Sequence, residues 1–163
     1  VAAGRSATLL VCGAGLLALA APCGGGTERS AAAAGLELRL EILDADGLAA
    51  QSFAAGAPVG LVLEVRNAGG EPRRLEFPTA RTHDFAVSDA GGRELWRWSA
   101  GRLFAQALAE IELAPGELRR FATAWDGRDA AGAPAAPGRY RAVASLACSP
   151  ALPPAGPLDF EIE

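Results

Sequence analysis

From Leu36 onward, apolar residues fall on alternate positions in one short run after another. The run LELRLEI sets Leu36, Leu38, Leu40 and Ile42 on one side and Glu37, Arg39 and Glu41 on the other. VGLVLEVRN does the same with Val59, Leu61, Leu63 and Val65. Leu75 and Phe77 share a side in RRLEFP, as do Phe85 and Val87 in HDFAVSD. Later runs align Phe121, Thr123 and Trp125, then Tyr140, Ala142, Ala144 and Leu146, and finally Leu158, Phe160 and Ile162. Successive side chains of extended backbone point to opposite sides, so a period of two marks strands with one face buried. These segments predict β-strands that share one dry interior.

Turn chemistry separates the runs. DADG, NAGG, DAGG, APGE and DGRD each supply residues that accept positive φ or pre-set a reversal. Ala114-Pro115-Gly116-Glu117 predicts a type II turn, with Pro second and Gly third. Asp89 to Gly92 predicts a hairpin closing DFAVSD onto RELWRW. Strands at this spacing predict an all-β domain over residues 36–163, a single Ig-like antiparallel sandwich of about seven to nine strands. A helix is compatible only with GRLFAQALAE, where a single turn or an extended loop fits as well. Tyr140, after Pro137-Gly138-Arg139, stands where sandwich domains often place a tyrosine corner, and Trp125 is read as structural too.

The N-terminal pattern differs. Arg5 precedes an uncharged apolar run from Thr8 to Ala21, too short for a stable membrane span, and residues 1–22 fit a signal peptide. Two processing routes are open. Ala18-Leu19-Ala20 offers an A-x-A cleavage site, which would release a soluble protein. LAAPCGGG instead resembles a bacterial lipobox, although Ala20 and Pro22 stand where that motif carries Leu and a Gly or Ala. This second reading makes Cys23 the lipidated first mature residue, tethering an exported domain to the cell envelope, outer membrane or periplasm-facing. Residues 23–35 would then be a flexible Gly/Ala linker, spanning roughly 20 Å as a coil. Cys12 leaves with the signal, and Cys148 becomes a lone, buried small hydrophobe; a Cys23–Cys148 bridge is open only without lipidation.

Composition narrows the function classes. The chain has 163 residues, 50% of them hydrophobic, enough for one domain with a real core. Its net charge is −4, its 15 basic residues are all arginine, and the charges are scattered. Phosphate binding needs a basic patch, so nucleic acid is a poor partner. The single histidine, His83, has Asp84 beside it on the opposite strand face, which places the two badly for a Ser-His-Asp arrangement. His83 and Cys148 alone give no metal-ligand cluster. Asp126-Gly127-Arg128-Asp129 lacks the further oxygen ligands of a calcium loop and reads as a turn whose aspartates bond local amides. The chain reads as non-catalytic, with no cofactor.

Several features then recur in a nameable order. Asn67 ends a strand; Leu75-Glu76-Phe77 and Asp84-Phe85 follow; then come Gly92, Trp96-Arg97-Trp98-Ser99, Phe104, Gln106, Pro115-Gly116-Glu117, and Trp125 with Asp126. In this order the chain resembles, over about residues 59–147, the BsuPI domain, the intracellular proteinase inhibitor family. The stretch 125–140, with Trp125, Asp126, Gly127, Asp129, Gly132, Pro137-Gly138 and Tyr140, is also similar to the Ig-like domain of flagellar hook-capping proteins. Both likenesses imply an Ig-like sandwich, and the first implies a protease as partner. That family's name comes from an inhibitor of a cytoplasmic subtilisin-like protease, so an exported relative implies a different target.

Two surfaces are candidates for binding. Trp96, Arg97, Trp98, Phe104 and Gln106 form an aromatic cluster, either packed at the core edge or presented as a recognition face, since Trp and Arg are frequent hot spots. The proline-containing stretch 127–139, with Arg128, Asp129, Pro134, Pro137 and Arg139, is the candidate inhibitory loop, because prolines lower the entropy lost on binding. Three roles follow: a monomeric protein-binding module that inhibits a serine protease, an assembly accessory of the envelope, or a glycan binder stacking sugars on Trp96 and Trp98.

Overall fold

The computed structural model of the chain describes residues 28–33 and 35–163. The expected signal peptide, the Cys23 anchor and any Cys23–Cys148 bridge fall outside the described residues. In chain order the strands are β1 (Glu28–Ala33), β2 (Leu36–Leu43), β3 (Ser52–Phe53), β4 (Val59–Asn67), β5 (Arg73–Phe77) and β6 (His83–Asp89). They continue with β7 (Glu94–Arg97), β8 (Ala109–Leu113), β9 (Leu118–Trp125), β10 (Gly138–Leu146) and β11 (Ala155–Ile162). One sheet has the order β1-β2-β4-β9, a second β3-β11-β10-β6-β7, and a two-stranded ribbon pairs β5 with β8. The pairings are antiparallel except β3, which runs parallel to β11.

The alternating runs occupy the positions their pattern requires. Leu38, Leu40 and Ile42 of β2 stand opposite Val65, Leu63 and Leu61 of β4, and all six are buried. In the second sheet, Val87 and Phe85 of β6 oppose Ala142 and Ala144 of β10, so large side chains meet small ones across the ladder. Ring contacts join the two sheets. Trp125 of β9 lies 5.7 Å from Tyr140 of β10 and 6.0 Å from Phe160 of β11, between ring centroids. Phe121 of β9 lies 4.7 Å from the His83 ring of β6. The layers therefore close on one apolar interior in a sandwich-like arrangement. A side chain such as Trp125, wholly buried there, contributes on the order of 3 kcal/mol.

Turn chemistry behaves as the residues dictate. Gly116 has φ +78° and the Glu117 amide donates to the Ala114 carbonyl at 2.9 Å, the geometry of a type II turn. Gly92, at φ +85°, closes the β6–β7 hairpin, where the Asp89 amide reaches the Arg93 carbonyl at 3.0 Å.

Three elements depart from the sequence reading, raising the count among the described residues to eleven strands from an expected range of about seven to nine. β1 lies inside the stretch read as a flexible linker and pairs with β2 from Glu28↔Glu41 to Ala33↔Leu36. The two-residue β3 is too short to show a period. The helix-compatible GRLFAQALAE holds no helix: a turn ends at Gly101, φ +72°, residues 102–105 have no regular secondary structure, and β8 begins at Ala109. Two tertiary bonds override the local pattern there. The Ala80 amide takes the Ala105 carbonyl at 3.0 Å, and β5 claims β8 through Leu75↔Ile111.

Candidate functional site

The β6–β7 hairpin brings Asp84-Phe85 beside Arg97-Trp98-Ser99. The Trp98 amide continues the pairing by donating to the Phe85 carbonyl at 2.9 Å. Asp84 is 5% exposed, yet four residues aim donors at its carboxylate. Oδ1 accepts the amides of Phe85 at 3.0 Å and Ser99 at 3.1 Å. Oδ2 accepts the Ser99 hydroxyl at 2.7 Å and Arg97 Nη1 at 3.1 Å, with Arg81 Nη1 at 3.6 Å. Arg97 is also clamped by Glu94, its Nε donating to Oε1 at 2.9 Å, and these hydrogen bonds raise its already high pKa. A buried charge is tolerable when paired and hydrogen-bonded on all sides, and this one is.

Above this pin sits an aromatic stack. His83 lies with its ring centroid 4.3 Å from that of Trp98 and 4.7 Å from that of Phe121. Trp98 in turn contacts Phe104 at 5.6 Å, and the Arg102 guanidinium lies 4.6 Å from the Trp98 ring centre. Burial lowers the His83 pKa, more than the Asp84 charge raises it, and Arg102 lowers it further. Its Nδ1 pairs with the Thr82 hydroxyl at 3.0 Å. His83 is thus part of the packing, and the Asp84 carboxylate is engaged with arginine and serine.

From this base, residues 99–108 run out between β7 and β8. Arg102 Nε donates to the Trp98 carbonyl at 2.8 Å, and Gln106 Nε2 to the Phe104 carbonyl at 3.3 Å. Phe104 is half-buried, whereas Leu103 is 100% and Leu108 84% exposed. A groove of about 360 Å³ separates the loop from the segment before β6, lined by Thr79, Arg81, Ser99, Arg102, Leu103, Phe104 and Gln106.

The first candidate surface is therefore partly assembled. Arg97 meets Asp84 and Trp98 meets His83, while Phe104 packs on Trp98 and Gln106 on the Phe104 carbonyl, all as supports of a loop. Trp96 pairs across to Val87, and both tryptophans are half-buried against the core. The sequence reading missed Asp84 as a hub and Leu103 as the most exposed apolar side chain. The recurrence of Asp84 and Ser99 among the family-like features was the signal for the first.

The second candidate surface, 127–139, is a compact turn. Asp129 Oδ1 accepts the amides of Ala131 at 2.9 Å and Ala133 at 2.8 Å, and Asp126 Oδ1 accepts that of Arg128 at 3.1 Å, as expected of aspartates bonding local amides. Arg128 Nη1 donates to the Gly132 carbonyl at 2.8 Å, while the Arg128 carbonyl accepts Trp125 Nε1 at 2.6 Å. The Ala130 amide bonds the Leu95 carbonyl at 2.9 Å, tying the turn to β7. Pro134, Pro137 and Arg139 are exposed, and the Tyr140 hydroxyl donates back to the Ala136 carbonyl, forming the tyrosine corner. Cys148 forms no disulfide among the described residues and is buried, and burial raises its thiol pKa. Among the described residues no cluster of three or more His, Cys, Asp or Glu side chains could hold a metal ion.

The hairpin, the Asp84 pin and the anchored loop all lie inside residues 48–151, the stretch matched by the family described as intracellular proteinase inhibitor, BsuPI. The chain belongs to the BsuPI family. The match takes in β3 through the end of β10, and so both candidate surfaces. No curated protein matches the chain. Among solved structures, the C-terminal domain of wzt is similar with a TM-score of 0.50 at 14% identity, covering 83% of this chain and 78% of that one. The alkylpurine DNA glycosylase AlkC from Pseudomonas fluorescens, bound to DNA containing an abasic site analog, gives 0.45 at 14% identity, covering 81% of this chain and 31% of that one. A beta-glucosidase from Listeria innocua in complex with glucose gives 0.42 at 11% identity, and the 78% of this chain that aligns spans only 16% of the glucosidase. At 14% identity the likeness to the wzt domain bears on the fold alone.

Proposed function

We propose that this BsuPI domain is a non-catalytic inhibitor that binds a serine protease in the cell envelope through the loop 99–108. The observation that carries the reading is membership of the proteinase inhibitor family over residues 48–151. The choice of surface rests on main-chain availability. A protease holds a substrate-like segment extended and pairs with its backbone. The main chain of 127–135 is largely engaged in its own turn, whereas 102–105 lies outside helix, strand and turn and is anchored at both sides. The compact turn then serves as a rigid neighbour to the loop.

The finer fold is an Ig-like sandwich, a reading supported by the Tyr140–Ala136 bond and the wholly buried Trp125. The location is supported by the apolar run ending at LAAPCGGG, with Cys23 as lipid anchor and a membrane as second partner. The domain acts as a monomer, because the inner face of each main sheet is covered by the other.

The test is an inhibition assay of the full chain against purified serine endoproteases of differing pocket chemistry. Sub-micromolar inhibition of at least one is expected. Unimpeded turnover by all of them, with the domain itself degraded, would overturn the proposal.

A further inference from the structure

Resting on the inhibitor reading, we propose that Leu103 is the residue that enters the protease's primary specificity pocket, so that the partner is an endoprotease whose pocket is large and apolar. Leu103 is 100% exposed on a chain whose other large apolar side chains are mostly buried. Folding gives no account of that exposure. Both neighbours, by contrast, are held. The Arg102 amide bonds the Ser99 carbonyl at 3.2 Å, its Nε bonds the Trp98 carbonyl, and its guanidinium lies over the Trp98 ring. Phe104 packs on the same ring from the other flank of Leu103, and the Ala105 carbonyl is pinned by the Ala80 amide.

The main chain of Leu103 completes the case. Neither its N–H nor its C=O is hydrogen-bonded among the described residues. Those are the groups a serine protease uses: the N–H for pairing with its cleft wall, the C=O for its oxyanion donors. A free backbone unit under a fully exposed side chain, between two anchored residues, is pre-organised for such a cleft and loses little entropy on entering it. The nearby arginines are poorly placed for the same role. Arg102 is held on Trp98, and Arg128 is bonded to the Gly132 carbonyl. The pocket chemistry that fits is therefore aliphatic or aromatic, not anionic.

The test compares the full chain with Leu103→Asp, Leu103→Arg and a distant control, Leu48→Asp, whose leucine is also exposed at 65%. Each is assayed on a subtilisin-type, a chymotrypsin-type and a trypsin-type protease. Circular dichroism checks that each variant folds, which a fully exposed position favours. The expected result is inhibition of one or both apolar-pocket enzymes, weakened on the order of 100-fold by Leu103→Asp. Leu48→Asp should leave it unchanged, and Leu103→Arg should gain inhibition of the trypsin-type enzyme. If the wild-type chain inhibits but Leu103→Asp inhibits equally well, or if only the trypsin-type enzyme is inhibited, this assignment is overturned and the inhibitor reading stands. If the wild-type chain inhibits none of the three, the inhibitor reading falls and takes this assignment with it.

Discussion

Asp84 shows how one residue can organise a site without touching a ligand. Its carboxylate gathers two amides, a hydroxyl and two guanidinium groups, and Ser99, fifteen positions away, is fixed by two of those bonds. Replacing Asp84 with Ala leaves Arg97 and the Ser99 amide without their shared acceptor. The expected cost is about 3 kcal/mol, read as a lower urea midpoint at unchanged slope, with Asp84→Asn milder because its carbonyl still accepts. By periodicity, Asp84 is legible as a polar residue alternating with Phe85, and alternation predicts a solvated face; only its place among the family-like features pointed elsewhere. Its burial depends on residues beyond the hairpin, which no local pattern encodes. Leu103 is a similar case. Its apolar character suggests burial, yet it stands 100% exposed between the anchored Arg102 and Phe104.

At the scale of elements, legibility follows local chemistry. The β8–β9 turn was readable because Pro115 and Gly116 satisfy the type II geometry without help from elsewhere. A Cβ at Gly116 meets nothing within 4 Å, so the cost of Gly116→Ala is conformational, from φ +78° alone. That substitution should destabilise by about 1 kcal/mol, whereas Gly70→Ala, with open space and no positive φ, should be near neutral in the same thermal melt. β2, β4, β10 and β11 were equally plain, each carrying three or more alternating apolar residues. β8 was not, because Ala109, Ile111 and Leu113 follow a segment with helical spacing, and a bond from Ala80 decides the outcome. β1 was hidden for the opposite reason: its Ala-rich composition carries no alternation, and its existence depends on the edge that β2 offers.

For the whole molecule, the ring contacts between sheets make one titration felt throughout. His83 spans the layers, touching Trp98 on one side and Phe121 of β9 on the other. Burial holds its folded pKa below the ordinary 6.5, so the unfolded chain takes up a proton before the folded one does. Stability is then full above pH 6.5 and falls as the pH drops through that value toward the lower folded pKa. Unfolding midpoints measured between pH 7.5 and pH 5.5, about one unit either side of the ordinary histidine value, should decline in the wild type. The decline should flatten in His83→Gln, an unambiguous comparison because the chain has one histidine. An equal decline in both would place the cause elsewhere.

The sheet order leaves the eight-residue β9 as an outer strand, its far edge paired with no other strand among the described residues. An unpaired row of that length is an invitation to another chain, since its free amides and carbonyls template addition. Arg119 and Arg120 stand on it, tied to Glu117 and Glu64, and a second chain laid alongside would have to strip water from those charges. That pair of guanidiniums thus acts as the sandwich's guard against stacking into aggregates.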